Sequence, residues 1–175
     1  MRSVRNLAVG GVCIALAVVL PLLVHSLGPS ARIALPMHYP IFLAGTLLDP
    51  VGAAIVGLLS PALSMGLTGM PTPDQTFRMM GELATYGFVV SLVLRLLGGF
   101  RYGTCLLALI LAMILGRVVH ASLAMLLYGF QGWKFYLALY LPGIPGMVIQ
   151  LILIPPLAIR VRRALKYSSA TGGRG

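Results

Sequence analysis

The chain contains three carboxylates, Asp49, Asp74 and Glu82, and three histidines, His25, His38 and His120, against thirteen Lys and Arg residues. So few ionisable groups limit the available chemistry. Paired-carboxylate catalysis reduces to Asp74 with Glu82, because the order of apolar runs puts Asp49 on the opposite face. No GxxxxGK[ST] phosphate loop, HExxH or GxSxG pattern occurs. Cys13 and Cys105 lie in apolar runs without CxxC or Cys/His spacing, so neither a disulfide framework nor a metal site is expected. No catalytic residue and no cofactor is assigned. If transport against a gradient is involved, nucleotide hydrolysis belongs to another chain.

What remains is a set of polar residues inside apolar runs. Ionisable groups in hydrocarbon cost at least a few kcal/mol each, which makes them functional candidates by default. Glu82 and Tyr86 are i,i+4 neighbours on one helix face, and Arg117 and His120 are i,i+3 neighbours on another. Counting helical rise places Glu82 about 8 Å below the outer surface and Arg117 and His120 in the same outer half. Gln150, from the last apolar run, lies near the midplane. If the two faces meet, a Glu82–Arg117 pair flanked by Tyr86 and His120 forms a polar pocket. Two readings stay open: the pair contacts a ligand, or its charges neutralise each other and clasp two helices together.

A second set occupies the outer loops. Arg32, the run Leu35-Pro36-Met37-His38-Tyr39-Pro40 and the run Met70-Pro71-Thr72-Pro73 combine His, Met and aromatic side chains with backbone-stiffening prolines. Such loops suit a lid over an outward-facing cavity, or are simply proline-terminated helix ends. Trp133 and Tyr140 either pack a ring of the ligand or join Tyr128 and Tyr136 in an interfacial aromatic belt. His25 meets the interface at the outer end of the first helix.

The elements that position these residues follow from composition. Of 175 residues, 59% are hydrophobic and 9% charged, whereas a soluble domain is about a quarter charged. The fold class is therefore an all-α integral membrane protein. The net charge of +10 would suggest nucleic acid in a soluble chain. Here the basic residues flank apolar runs and report topology instead, so no nucleic-acid partner is expected. Apolar runs divided by Gly, Pro or charge predict helices over 7–27, 36–48, 51–68, 77–97, 104–128 and 135–160. This is a six-helix transmembrane bundle forming a single domain over 1–166, with a disordered cytoplasmic tail over 167–175. The run 36–48 reaches only about 20 Å, short of the hydrocarbon core, so it tilts or borrows from its neighbours, or 36–68 forms a re-entrant hairpin. The basic start and apolar run at the N-terminus lack a cleavage site and read as a retained first helix.

Lys and Arg are concentrated at one end of these helices: Arg2, Arg5, Arg95, Arg101, Arg160, Arg162, Arg163, Lys166 and Arg174 oppose Arg32, Arg78 and Lys134. That asymmetry places both termini in the cytoplasm. On helix one, Gly11 and Ala15 form a small-xxx-small pattern that lets another helix approach closely, either from this chain or from a partner. Gly57, Pro61 and Gly116 read as intramolecular packing or flexing points.

Together these features resemble the substrate-binding S component of energy-coupling factor (ECF) vitamin transporters. The resemblance rests on the small-residue helix one, the run from Leu35 to Pro40, Leu58-Leu59-Ser60-Pro61 through Leu67-Thr68-Gly69-Met70-Pro71, Glu82-Leu83-Ala84-Thr85-Tyr86-Gly87, Gly116-Arg117 and Pro142-Gly143-Ile144-Pro145-Gly146. It implies a multi-pass protein of a prokaryotic plasma membrane that captures a water-soluble vitamin or precursor from outside. It also implies docking onto a transmembrane coupling protein carrying two cytosolic ATPases, followed by toppling of the whole subunit. The family's AxxxA docking motif falls on Gly11 and Ala15. The substrate site would take Glu82, Tyr86, Arg117, His120, His38, Met70, Trp133, Tyr140 and Gln150. An enclosed Arg117 favours a carboxylate or amide oxygen; pantothenate fits, as do a pyridine or pyrimidine vitamin and cobalamin. The competing readings are a stand-alone solute facilitator or channel, a small intramembrane transferase with Glu82 as base, and a purely structural subunit.

Overall fold

The computed structural model describes residues 2–26, 35–98 and 100–171, which form helices and short connections without a strand. The helices are α1 (Arg2–Ser26), α2 (His38–Leu47), α3 (Pro50–Thr68), α4 (Pro73–Leu96), α5 (Tyr102–Tyr128), α6 (Trp133–Tyr140) and α7 (Ile144–Thr171). Five stretches are long and apolar enough to cross a bilayer: Val4–Val24, Pro50–Thr68, Pro73–Leu96, Tyr102–Tyr128 and Trp133–Leu165. Their outer faces carry apolar side chains such as Leu107, Ile114 and Val118, which lipid would cover.

Local sequence sets the helix limits. Asp49 caps α3, its carboxylate accepting from the Gly52 amide at 3.2 Å, with Pro50 in the first turn where no amide is needed. Gly69 ends α3 in the left-handed region at φ 73°. Pro73 then opens α4 directly after the short loop. Small residues decide how closely the helices pack. A Cβ on Gly57 would lie 2.2 Å from the Leu83 carbonyl, and one on Gly87 would lie 2.3 Å from that of Ala53. A Cβ on Gly116 would lie 2.1 Å from the Tyr86 ring. The backbones of α3 and α4 are thus in direct contact, and α5 closes on α4 over Tyr86. Gly57 and Gly116 are packing points within the chain, as their spacing suggested.

The short run 36–48 forms the ten-residue α2, which is not among the five membrane-length stretches. His38 at its start lies beside Glu82, Nε2 to Oε1 4.0 Å. Phe42 stacks on Tyr86 with ring centroids 4.9 Å apart, and Ser91 donates to the Leu48 carbonyl at 2.7 Å. Along α4, Glu82 and Ser91 are nine residues apart, about 14 Å of helix rise. α2 therefore starts at the level of Glu82 and lies alongside only the part of α4 beyond it. Leu35, at φ 50°, is held there by Gln150, whose amide nitrogen donates to its carbonyl at 3.3 Å.

The last expected helix, 135–160, also differs. A 3-10 turn over Leu141–Gly143, containing Pro142, separates α6 from α7. α7 continues to Thr171, so 167–171 of the expected disordered tail is helical, and 172–175 lie outside the described residues. At one end of the bundle Gly10 faces Leu48 and Val56, and Arg162 stacks over Phe100 at 4.4 Å. Residues near both chain ends therefore share one end, while Met70, Arg78 and Tyr128 lie at the other.

Because Gly57 abuts backbone that has no room to yield, Gly57→Ala is expected to cost about 1–3 kcal/mol. Gly66, with no atom within 4 Å of a Cβ position, should accept alanine without loss. Thermal unfolding in detergent measures both; equal midpoints would contradict the packing described.

Candidate functional site

The site grows from the carboxylate of Glu82, 2% exposed in the middle of the bundle. A charge at that depth persists only when paired and hydrogen-bonded. One turn deeper on α4, the Tyr86 hydroxyl donates to Glu82 Oε1 at 2.5 Å. From α5, Arg117 Nη1 reaches the same oxygen at 3.1 Å. His120 Nε2 lies 3.9 Å from Oε2, and His38 Nε2, from α2, lies 4.0 Å from Oε1. Tyr140, at the end of α6, holds this group from the far side. Its hydroxyl is 3.0 Å from His120 Nδ1, and its ring lies 5.3 Å beneath the Arg117 guanidinium. Met147 of α7 accepts from Arg117 Nη2 through its sulfur at 3.8 Å. Glu82, Tyr86, Arg117 and His120 thus meet as their spacing suggested, and His38 and Tyr140 join them.

The cluster is incompletely satisfied. Among the described residues, neither ring nitrogen of His38 has a hydrogen-bond partner, and Arg117 Nε and Gln150 Oε1 are also buried without one. Buried polar groups left unpaired cost about 1–3 kcal/mol each. Such groups beside a cavity are where ligand atoms would be held. The cavity is there: about 280 Å³, bounded by Pro21 and Leu22 of α1, by Leu35 to His38, by Ser64 and Thr68 of α3, and by Met70, Arg78, Glu82, Arg117 and His120. It opens toward the end of the bundle that holds Met70 and Arg78.

The remaining candidates fall in different places. Met70 lines the cavity rim, with its carbonyl accepting from Ser64 at 2.9 Å. Tyr86 is fully buried behind Glu82 and orients it. Gln150 holds Leu35 and is not in the wall. Trp133 is 67% exposed and pairs with Lys134, with Nζ 5.8 Å from its ring, outside the cavity. Trp133 is thus not among the residues that line the cavity. Arg32 lies outside the described residues. Among the described residues, no group of three His, Cys, Asp or Glu is placed to hold a metal ion.

Sequence spacing missed Arg78, Ser64, Thr68 and Met79, all in the wall. Arg78 precedes Glu82 by four residues, so the periodicity that pairs Glu82 with Tyr86 also puts it on that face. Its position at a helix start reads instead as an outer-side charge.

Removing one member of the buried pair leaves the other uncompensated, at a cost of about 3–5 kcal/mol. Glu82→Ala should therefore destabilise strongly, and adding Arg117→Met should recover part of that loss. Thermal unfolding of the single and double variants measures the coupling. Strictly additive losses would contradict the pairing.

A family model described as ECF transporter, substrate-specific component, matches residues 5–158. No curated protein and no solved structure matches the chain. The match runs from the first turn of α1 to about the middle of α7 and includes every residue of the Glu82 cluster. With several membrane-length apolar helices and a match over most of its length, the chain belongs to the family of ECF transporter substrate-specific components.

Proposed function

We propose that this chain captures a small water-soluble vitamin or precursor from outside a prokaryotic plasma membrane and hands it to an ECF coupling module. Membership of the family already makes it a multi-pass, substrate-binding, non-catalytic subunit of an ECF importer. The finer reading is carried by the cavity at the Glu82 cluster, whose unpartnered His38 and Arg117 nitrogens lie beside its wall. At about 280 Å³ it lies at the small end of ligand pockets, which run from about 300 to 1,000 Å³. That size favours a compact molecule such as pantothenate or a pyridine or pyrimidine vitamin. It disfavours cobalamin. The Lys and Arg asymmetry directs the Met70–Arg78 end outward and both termini into the cytoplasm.

Docking is read from α1. Cys13 and Ala17 face the core, whereas Ala8, Gly11 and Ala15 face outward. A Cβ on Gly11 would meet nothing within 4 Å. Among the described residues nothing covers this small-residue face, which suits close approach by a helix of the transmembrane coupling protein. Two cytosolic ATPases on that module supply the hydrolysis, and toppling of the docked subunit carries the cavity to the cytoplasm.

Vesicles containing the chain, a coupling protein and its ATPases should take up the vitamin only with ATP. Gly11→Leu should abolish that uptake while the isolated chain still binds. Uptake without ATP or partners would favour a facilitator. Loss of both uptake and binding in Gly11→Leu would contradict a dedicated docking face.

A further inference from the structure

Among the described residues, five ionisable side chains face the cavity: Arg78, Arg117, His38, His120 and Glu82. The two guanidiniums are not equivalent. Arg117 is closed onto Glu82 at 3.1 Å, and that carboxylate is almost completely buried, so their charges largely cancel. Arg78 is partnered by Asp74, Nη2 to Oδ2 3.2 Å, with Nε donating to the Asp74 carbonyl at 3.3 Å. The Asp74 side chain is 45% exposed and also accepts from Tyr128 and from Thr72. A half-exposed carboxylate divided among three donors neutralises a cation weakly. The Arg78 side chain is nonetheless buried, with its guanidinium 5.5 Å from the centre of the Tyr128 ring. It stands in the wall of the cavity and also in that of a more open cleft of about 430 Å³ formed with Tyr128, Gln131 and Phe135.

Resting on the binding reading above, we propose that Arg78 is the charge-reading residue of the site. The substrate is then a small monocarboxylate bound with its carboxylate outward at Arg78 and its neutral end inward. Two further observations set that orientation. A carboxylate placed deeper would find the Arg117 guanidinium already closed on Glu82, with little net positive charge left to hold it. The deep wall instead offers His38, with both ring nitrogens unpartnered, beside the Glu82 carboxylate. Those are partners for a hydroxyl or amide. A guanidinium has five donors in a planar fork, of which Asp74 takes two. Asp74 and Tyr128 fix the plane of that fork, so Arg78 is held ready for an incoming anion. It is also shared by the cavity and the more open cleft, so an anion in either would meet it.

The test uses the purified full chain and pairs of acids with their neutral counterparts: pantothenate and pantothenol, nicotinate and nicotinamide, biotin and its amide, lipoate and lipoamide. Binding is measured by calorimetry. One acid should bind more tightly than its counterpart. Arg78→Gln should weaken that acid by about 10–100-fold, the worth of a charged hydrogen bond, and leave the neutral compound unchanged. Retained neutral binding shows that the variant is folded. If glutamine is not tolerated, Arg78→Met keeps the stem against Tyr128 and gives the same comparison. Arg117→Gln should weaken both members of the pair. An unchanged acid preference in Arg78→Gln overturns the assignment. So does binding of riboflavin, thiamine or pyridoxamine where no acid binds, and that outcome leaves the binding-subunit reading intact. Binding of none of these compounds would overturn both.

Discussion

The arrangement depends on one buried carboxylate. Removing Glu82 from water costs several kcal/mol, and the bundle offsets that cost by bringing four helices to it. Tyr86 comes from its own helix, Arg117 and His120 from α5, His38 from α2, and Tyr140 from α6 holds Arg117 and His120 in turn. Each contact constrains a helix position that apolar packing alone would leave free to slide. In lipid that constraint matters more than in water, because no hydrophobic force drives one apolar helix against another. The carboxylate thus fixes the register of the bundle and leaves unpartnered polar groups beside a cavity.

Glycine supplies the complementary constraint. Glu82 can reach Arg117 only because α5 comes close to α4, and Gly116 is where the Tyr86 ring would collide with any side chain. Gly57 and Gly87 do the same between α3 and α4. Polar attraction and backbone proximity are therefore adjacent in sequence, Gly116 before Arg117 and Tyr86 before Gly87. On α1 the small residues serve two directions. Gly10 receives Val56 of the core, while Gly11 and Ala15 face outward, and Pro21 and Leu22 further along line the cavity. On the proposed reading, one rigid helix joins the binding end to the docking face, so docking and substrate release involve the same body.

Much of this was legible in the sequence, and the parts that were not have a common cause. The i,i+4 and i,i+3 spacings of Glu82 with Tyr86 and of Arg117 with His120 are local, and helix geometry turns them into shared faces. Small residues at Gly57 and Gly116 marked close contacts for the same reason. Depth is not local. Nothing in the run 36–48 says that α2 begins beside Glu82, because Gln150, more than a hundred residues later, holds Leu35 at that level. Arg78 carried the right spacing, but its position at a helix start fits a topology charge equally well. Only the contacts with Asp74 and Tyr128 bring it into the wall. Trp133 differs in the other direction: an aromatic residue beside Lys134 reads equally as a ligand stacker or a belt residue, and only its exposed indole sets it apart from the cavity wall.

The central claim is that the cavity beside the Glu82–Arg117 pair holds a vitamin-sized molecule. Native mass spectrometry of the detergent-purified chain tests it most directly, comparing the unaltered protein with Arg117→Ala and Trp133→Ala. A small-molecule adduct is expected on the unaltered protein and on Trp133→Ala, and its disappearance is expected in a folded Arg117→Ala. An adduct that survives Arg117→Ala and is lost with Trp133→Ala would place the binding site elsewhere and contradict the account.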